Sequence, residues 1–341
     1  MTEMAAARMT ADEFEDTRFQ EWIGETSPEL FTEYLRPTPQ SRRDLLSHRF
    51  RQLFPRPEAE VRLLTRGDAF LGIMGHERLE WDSRHFGVEC GRLSPYCLAA
   101  DLSRAEREQA ARTMIGGGIE WARRNETRLL QRRLLSPRGV EINVLEDMGF
   151  HLVDSVVTLA APITDVLSVS APATDVIELR APTAADLEPL ATLTRGAFPH
   201  SRFVNDRLLS PERGHDVYVK WLTKIVGELT TGPGAAPTDH EMIVAVRNDR
   251  VLGYVASRID RNLVRLLGQA IATIELIVVD EMTRGTGLGQ RLFREAARAA
   301  SGAGAEILES STWIGHDLAL AANQKAGLRV RENMLTYHLY L

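Results

Sequence analysis

Cysteine is nearly absent: Cys90 and Cys97 are the only two in 341 residues, which excludes a disulfide framework and offers no zinc-ligand spacing. No apolar run approaches the length of a membrane span, and the Ala/Asp/Glu-rich start carries no signal-peptide core. No membrane partner is therefore expected, and a soluble, unexported protein in a reducing cytoplasm is. Basic charge is not in excess. Lys and Arg number 41 against 47 Asp and Glu, a formal net charge of −6; no nucleic-acid partner is expected, because such binding draws on surplus Lys and Arg. The nine histidines show no metal spacing, so no metal is expected. The remaining composition, 44% hydrophobic and 26% charged, is that of a globular protein. The length suits about two domains. Any anionic ligand must be held by local geometry rather than bulk charge.

That geometry is written most clearly at Arg284-Gly285-Thr286-Gly287-Leu288-Gly289. The β-branched run Ile274–Val279 precedes it, and apolar positions at helical spacing follow from Gln290 to Arg298. Glycines thus fall where a strand turns into a helix. A ligand can approach the backbone there, the first helical N–H groups lack internal partners, and the helix dipole favours negative charge. The phosphate-binding loop of nucleotidases is excluded, because Leu288-Gly289-Gln290 lacks the Gly-Lys-Ser/Thr ending. A dinucleotide site is also disfavoured: Gly285, Gly287 and Gly289 read G-x-G-x-G, and no acidic residue follows about twenty residues on. A plain structural turn is the remaining alternative.

Arg-x-x-Gly-x-Gly after a strand resembles the acyl-CoA motif of the GNAT acetyltransferase superfamily. The resemblance implies an acyl-CoA co-substrate, with acetyl-CoA expected. Backbone groups of the motif strand (Ile277, Val278, Val279) would take the pantetheine arm, and the N–H groups from Arg284 through Gly285, Thr286, Gly287, Leu288, Gly289 and Gln290 would take the pyrophosphate. It further implies that the Val279 N–H faces the thioester carbonyl, a donor worth roughly 3–4 kcal/mol in the transition state. Glu275 is the candidate general base, placed by simple alternation on the face of Ile277 and Val279; a carboxylate bonded to structure is its other reading. Family members carry a proton-donating tyrosine on the late helix, four residues before a Gly-Phe pair. Here Asn323 precedes Gly327-Leu328. Asparagine cannot deliver a proton at neutral pH, so water, a displaced tyrosine such as Tyr337, or loss of activity enters the account. Loss of a general acid costs about 10²–10⁴-fold.

Segments after residue 175 alternate strand and helix in the order the superfamily shows: strand 176–180, helices 184–196 and 216–229, a hairpin of 242–247 with 251–259, strand 273–279, helix 288–300, strand 306–312, helix 318–326 and strand 329–341. The expected class is α/β with a mixed sheet. The expected domains are a variable helical segment at 1–60, a degenerate GNAT-like domain at 61–163, a linker at 164–175 and a catalytic GNAT domain at 176–341. The degenerate copy is inferred from an internal echo. Asn143–Phe150 followed by Thr158 lines up with Ala321–Leu328 followed by Thr336, at one constant offset.

The acceptor is read from two further stretches, Trp81-Asp82-Ser83 with Phe86-Gly87, and Ser201-Arg202-Phe203 with Tyr218 and Trp221. They resemble superfamily members that acetylate a nucleotide-linked 4-amino-4,6-dideoxyhexose. Aromatics would stack on base or sugar, and Arg202 would fork onto phosphate. Core packing, or an interface between domains, accounts for the same residues. Three readings stand: an N-acyltransferase acting by direct attack on a nucleotide-linked amino sugar, the same chemistry on an amino acid, peptide or secondary-metabolite amine, and a non-catalytic acyl-CoA-binding protein. A small-molecule amine is the expected partner, and a homodimer is allowed.

Overall fold

The computed structural model describes residues 3–28, 33–35, 37–170, 177–231 and 238–341. The chain forms two compact units, one of Met1–Ser155 with Met334–Leu341, the other of Val156–Asn333.

The first unit opens with β1 (Ala5–Arg8), α1 (Ala11–Phe14), α2 (Thr17–Glu25), β2 (Ser27–Pro28) and α3 (Pro39–Arg51). It continues through β3 (Glu60–Arg66), β4 (Ala69–Arg78), α4 (Glu80–Phe86), β5 (Cys90–Leu98), α5 (Arg104–Arg124), β6 (Leu129–Leu135) and α6 (Gly139–Asp147). β7 (His151–Pro162) then carries the chain into the second unit. Strand β3 lies antiparallel to β1 and β4, β4 antiparallel to β5, and β5 parallel to β6. The first sixty residues differ from the expected separate segment. They are built into this unit by β1 on β3 and by Phe70 of β4, whose ring centre lies 5.4 Å from Phe19 and 5.6 Å from Trp22.

The second unit contains α7 (Ile163–Ser168), β8 (Glu178–Arg180), α8 (Leu187–Thr194), α9 (Arg202–Asn205), α10 (Pro211–Thr230), β9 (His240–Arg247), β10 (Arg250–Ile259) and α11 (Arg261–Leu267). β11 (Ile271–Val279), α12 (Leu288–Gly302), β12 (Ile307–Trp313), α13 (Asp317–Lys325) and β13 (Arg329–Tyr340) follow, the last returning to the first unit from Met334. Strands β8 to β11 are successively antiparallel, β11 is parallel to β12, and β12 is antiparallel to Val156–Pro162. In the first unit β6 is likewise antiparallel to Met334–Tyr340.

Both units therefore repeat one pattern: an antiparallel meander, a helical crossover to a parallel strand, a short helix, and an antiparallel closing strand. The echo extends to single hydrogen bonds. The helices α6 and α13 both end at a left-handed glycine, Gly149 (φ +85°) and Gly327 (φ +97°). Past each, the Phe150 N–H donates to the Leu145 carbonyl and the Leu328 N–H to the Asn323 carbonyl. The unit boundary falls at Ser155/Val156 and Asn333/Met334, not in the expected linker, because each closing strand comes from the far side of the sequence. Residues 164–168 of that linker belong to helix α7, with Val166 buried in the second core; 171–176 lie outside the described residues.

Helix α12 holds the motif strand from one side through Leu288, Leu292, Phe293, Ala296, Ala297 and Ala300, a stripe at helical spacing that joins Ala272 and Ile274 in one core. Leu292→Ala, at a fully buried position, is expected to cost about 2–5 kcal/mol. Urea unfolding measures it, and a change below about 0.5 kcal/mol would contradict this packing.

Candidate active site

Strand β11 carries a β-bulge. Its partner β10 pairs Ala256 with Leu276 and then Ser257 with Ile274, leaving Glu275 as the extra residue. The bulge switches which side chains face which side. Before it, Ala272 and Ile274 enter the core with α12; after it, Ile277 and Val279 pack there while Leu276 and Val278 enter the opposite core with Leu190, Leu222 and Val244. Glu275 consequently lies on the face opposite to Ile277 and Val279, which corrects the expectation from simple alternation.

On that face Glu275 is enclosed by ions. Its Oε2 meets His240 Nε2 at 3.0 Å and its Oε1 accepts from Arg258 Nε at 2.8 Å. His240 Nδ1 meets Glu228 Oε2 at 2.7 Å. With a carboxylate at each ring nitrogen, both nitrogens act as donors in the imidazolium form. Burial pushes the Glu275 carboxyl up, but His240 and Arg258 outweigh it and hold it below the usual range. The bond to Glu275 raises His240, against burial and with help from Glu228. Glu275 is thus a tethered carboxylate, and His240, Arg258 and Glu228 are members of the site that sequence patterning does not signal.

Strands β11 and β12 part soon after they meet. Their register runs from Ile271↔Ile307 to Ile274↔Ser310 and no further among the described residues, although β11 continues to Val279 and β12 to Trp313. On its other edge β11 stays paired with β10 as far as Val279. The Asp280 N–H donates to the Leu252 carbonyl at 2.8 Å, which fixes the phase of that ladder. Leu276 and Val278 turn their peptide groups to β10, and Ile277 and Val279 turn theirs to the gap. Val278, expected beside them as a backbone contact, is engaged by β10 instead.

The Gly-rich turn stands just beyond. A 3₁₀ turn at Glu281–Thr283 leads to Gly285 (φ +81°) and Gly287 (φ +89°). Gly287 caps α12 with no side-chain bond to the helix start, so the amides of Leu288, Gly289 and Gln290 open the helix without a side-chain cap. The surroundings are clear. A Cβ on Gly285 would meet nothing within 4 Å. Thr286 turns its hydroxyl back to the Thr283 carbonyl, and the Arg284 guanidinium pairs with Glu281 at 3.1 Å. The matching helix start in the first unit is closed. Ser103 Oγ accepts the Glu106 N–H, while the Glu106 carboxylate takes the Ser103 N–H and Arg66. Arg66, then Ser103, draws the Glu106 carboxyl down to about 2, so an anion there would meet a fixed negative charge.

Asn323 is buried on α13. Its Nδ2 donates to the Ala319 carbonyl at 2.8 Å, and its Oδ1 is buried without a partner. Tyr337 does not replace the missing tyrosine. It sits in the first unit's core, donates to Glu146 Oε1 at 3.0 Å, and has its phenol pushed up to about 12, chiefly by burial.

The sequence-predicted acceptor residues divide between the units. In the first, Trp81 is half exposed and stacks on His85 at 4.7 Å, Asp82 lies in the first turn of α4, and Phe86 is buried. In the second, Tyr218 stacks on Phe198 at 4.2 Å, the Arg202 guanidinium lies 4.1 Å from the Phe203 ring centre, and Trp221 is partly exposed on α10. Ser201 precedes α9, with its Oγ buried and unpartnered. His200 stacks on Trp313 at 4.8 Å, which places Ser201 and Arg202 beside the open end of β12. Among the described residues no cluster of three His, Cys, Asp or Glu could hold a metal ion, and no helix is long and apolar enough to cross a membrane.

The Acetyltransferase (GNAT) family model matches residues 210–326, wholly within the second unit, the stretch that holds the parallel pair parting past a bulge and the Gly-rich helix start. The first unit is a partial, degenerate copy of the same fold. Over 274 residues the chain is 25% identical to the dTDP-fucosamine acetyltransferase of Escherichia coli O6:H1, covering 77% of this chain and 96% of that protein. Among solved structures, a GCN5-related N-acetyltransferase from Sphaerobacter thermophilus is 15% identical, with a TM-score of 0.62 and coverage of 99% and 95%. A tandem GNAT protein from the clavulanic acid biosynthesis pathway is 14% identical, with a TM-score of 0.59 and coverage of 99% and 98%. Both share the fold over nearly the whole chain.

Proposed function

We propose that this GNAT enzyme is a soluble cytoplasmic N-acyltransferase that uses acetyl-CoA and transfers the acetyl group, by direct attack, to the primary amine of a nucleotide-linked amino sugar. The observation that carries the donor is the parting of β11 from β12 after Ile274↔Ser310, which ends at an uncapped helix start. The amides of Leu288, Gly289 and Gln290 would hold the pyrophosphate, each charge-assisted bond worth about 1.5–3 kcal/mol. The N–H and carbonyl groups of Ile277 and Val279 would hold the pantetheine arm and face the thioester oxygen. Asn323 Oδ1, a buried acceptor without a donor, suits an amide N–H of that arm. When bound, the thioester supplies an activated acyl carbon.

The acceptor reading rests on the likeness to a dTDP-fucosamine acetyltransferase. It rests also on Arg202, Ser201 and the aromatic pair Phe198–Tyr218 standing at one end of the splay. A buried asparagine at the tyrosine position favours a second reading, an acyl-CoA-binding protein without turnover. The test is free-thiol release from acetyl-CoA with and without a dTDP-4-amino-4,6-dideoxyhexose. Release that requires the sugar is the expected result. Release with simple amines alone would refute the sugar acceptor, and tight acetyl-CoA binding without release on a broad amine panel would favour the binding protein.

A further inference from the structure

Direct attack requires the acceptor amine to lose a proton, and the tethered Glu275 has both oxygens engaged by cations. A second carboxylate stands on the same face. In β12, Leu308 enters the core with Ala272, so Glu309 faces the other way; it pairs in register with Thr273, whose Oγ1 donates to Glu309 Oε1 at 3.4 Å. The register places Glu309 one residue before the strands part. Beyond it on the same side of β12 lie Ser311, hydroxyl-bonded to Thr158 at 3.1 Å, and Trp313 under His200. This is the polar wall of the splay, opposite the face that α12 covers. Glu309 is partly accessible, as a proton-transferring group must be.

We propose that Glu309 is the carboxylate that takes the proton from the acceptor ammonium, through an intervening water, in the acyl transfer proposed above. Ile277 lies four residues along β11 from Thr273, about 13 Å of strand at 3.3 Å per residue. With the thioester carbon at the Ile277 level rather than at Val279, and with the bulge shortening the stretch, the approaching amine and one water would span the interval. The ammonium gives one proton to Glu309, and the freed nitrogen lone pair forms the C–N bond. The C–S bond then breaks, and the departing thiolate takes the second proton from the new amide nitrogen. No separate tyrosine is needed for this step, which agrees with asparagine at position 323. In the sequence, the signal for Glu309 is its alternation with the apolar Leu308 in β12.

The inference rests on the acyltransfer reading, and one experiment separates the two. Thiol release from acetyl-CoA is followed from about pH 6 to about pH 10 with the dTDP-4-amino-4,6-dideoxyhexose, or with whichever simple amine the wild type accelerates if the sugar fails; the amine arrives protonated and needs a base at neutral pH, and arrives neutral at the alkaline end. Glu309→Gln is expected to lower the enzyme-dependent rate at neutral pH by about 10²–10⁴-fold, the loss shrinking toward the alkaline end. Acetyl-CoA affinity should be unchanged, and Glu309→Asp should restore part of the neutral rate. An equal loss at every pH, or no loss, overturns the role of Glu309 alone. A wild type that releases no thiol with the sugar or with any simple amine overturns acyl transfer and this role together.

Discussion

Gly287→Val is expected to weaken acetyl-CoA binding by at least about 100-fold. Gly287 holds φ +89°, a conformation that a β-branched residue adopts only with strain of about 1–3 kcal/mol. The new side chain would also displace the turn that presents the Leu288, Gly289 and Gln290 amides. Losing two such bonds forfeits about 3 kcal/mol or more, which is a hundredfold in affinity. Gly289→Val separates cradle from strain. Gly289 carries no positive φ, and a Cβ there would meet only Val279 Cγ2, at 4.0 Å, so the helix can form while the approach to its amides narrows. Calorimetric titration with acetyl-CoA, beside thermal melts, measures both. If both variants bind like the wild type, this turn is not the pyrophosphate site.

The cradle was legible because its requirements are local. Positive φ at Gly285 and Gly287 demands glycine, and a β-branched run followed by helical spacing fixes what flanks them. Element order in the second unit was legible for the same reason, as was the Asn248-Asp249 hairpin, whose two residues take φ of +51° and +61°. Glu275 shows where local reading stops. Alternation assigns a face only while the register holds, and one extra residue against β10 reverses every side chain beyond it. The unit boundaries were illegible for a different reason. Pairing of Val156–Pro162 with β12, and of Met334–Tyr340 with β6, is long-range, and nothing in either strand's own pattern names its partner. Tyr337 illustrates the consequence, since a residue nine positions past Leu328 belongs to the other unit's core. The helical character of the first sixty residues was legible but their place was not, because they join the unit through β1 on β3 and through Phe19 against Phe70, contacts that no local pattern names.

Glu275→Gln is expected to destabilise the second unit by about 3 kcal/mol near pH 6, the lower end of the cost of breaking a buried ion pair because Arg258 is partly exposed. Glutamine keeps the size but removes the charge between His240 and Arg258. The ionisable groups around this point are Glu228 and Lys224 on α10, His240 on β9, and Arg258 and Asp260 at the end of β10. The raised His240 contributes stability that is complete below its unfolded value of about 6.5 and fades as pH climbs through its folded value. The lowered Glu275 contributes above its unfolded value of about 4.3, and that part is lost as pH falls through its folded value. The pair is therefore worth most between about pH 4.3 and 6.5. The stability gap between wild type and variant should narrow on the alkaline side as His240 loses its proton, and on the acid side as Glu275 gains one. Because the bulge turns the Ile277 and Val279 peptide groups to the gap, loosening its anchor should also weaken acetyl-CoA binding, by less than Gly287→Val does. Urea unfolding at several pH values measures the first effect and titration the second. A gap that is absent near pH 6, or constant with pH, would show that this cluster does not anchor the bulge.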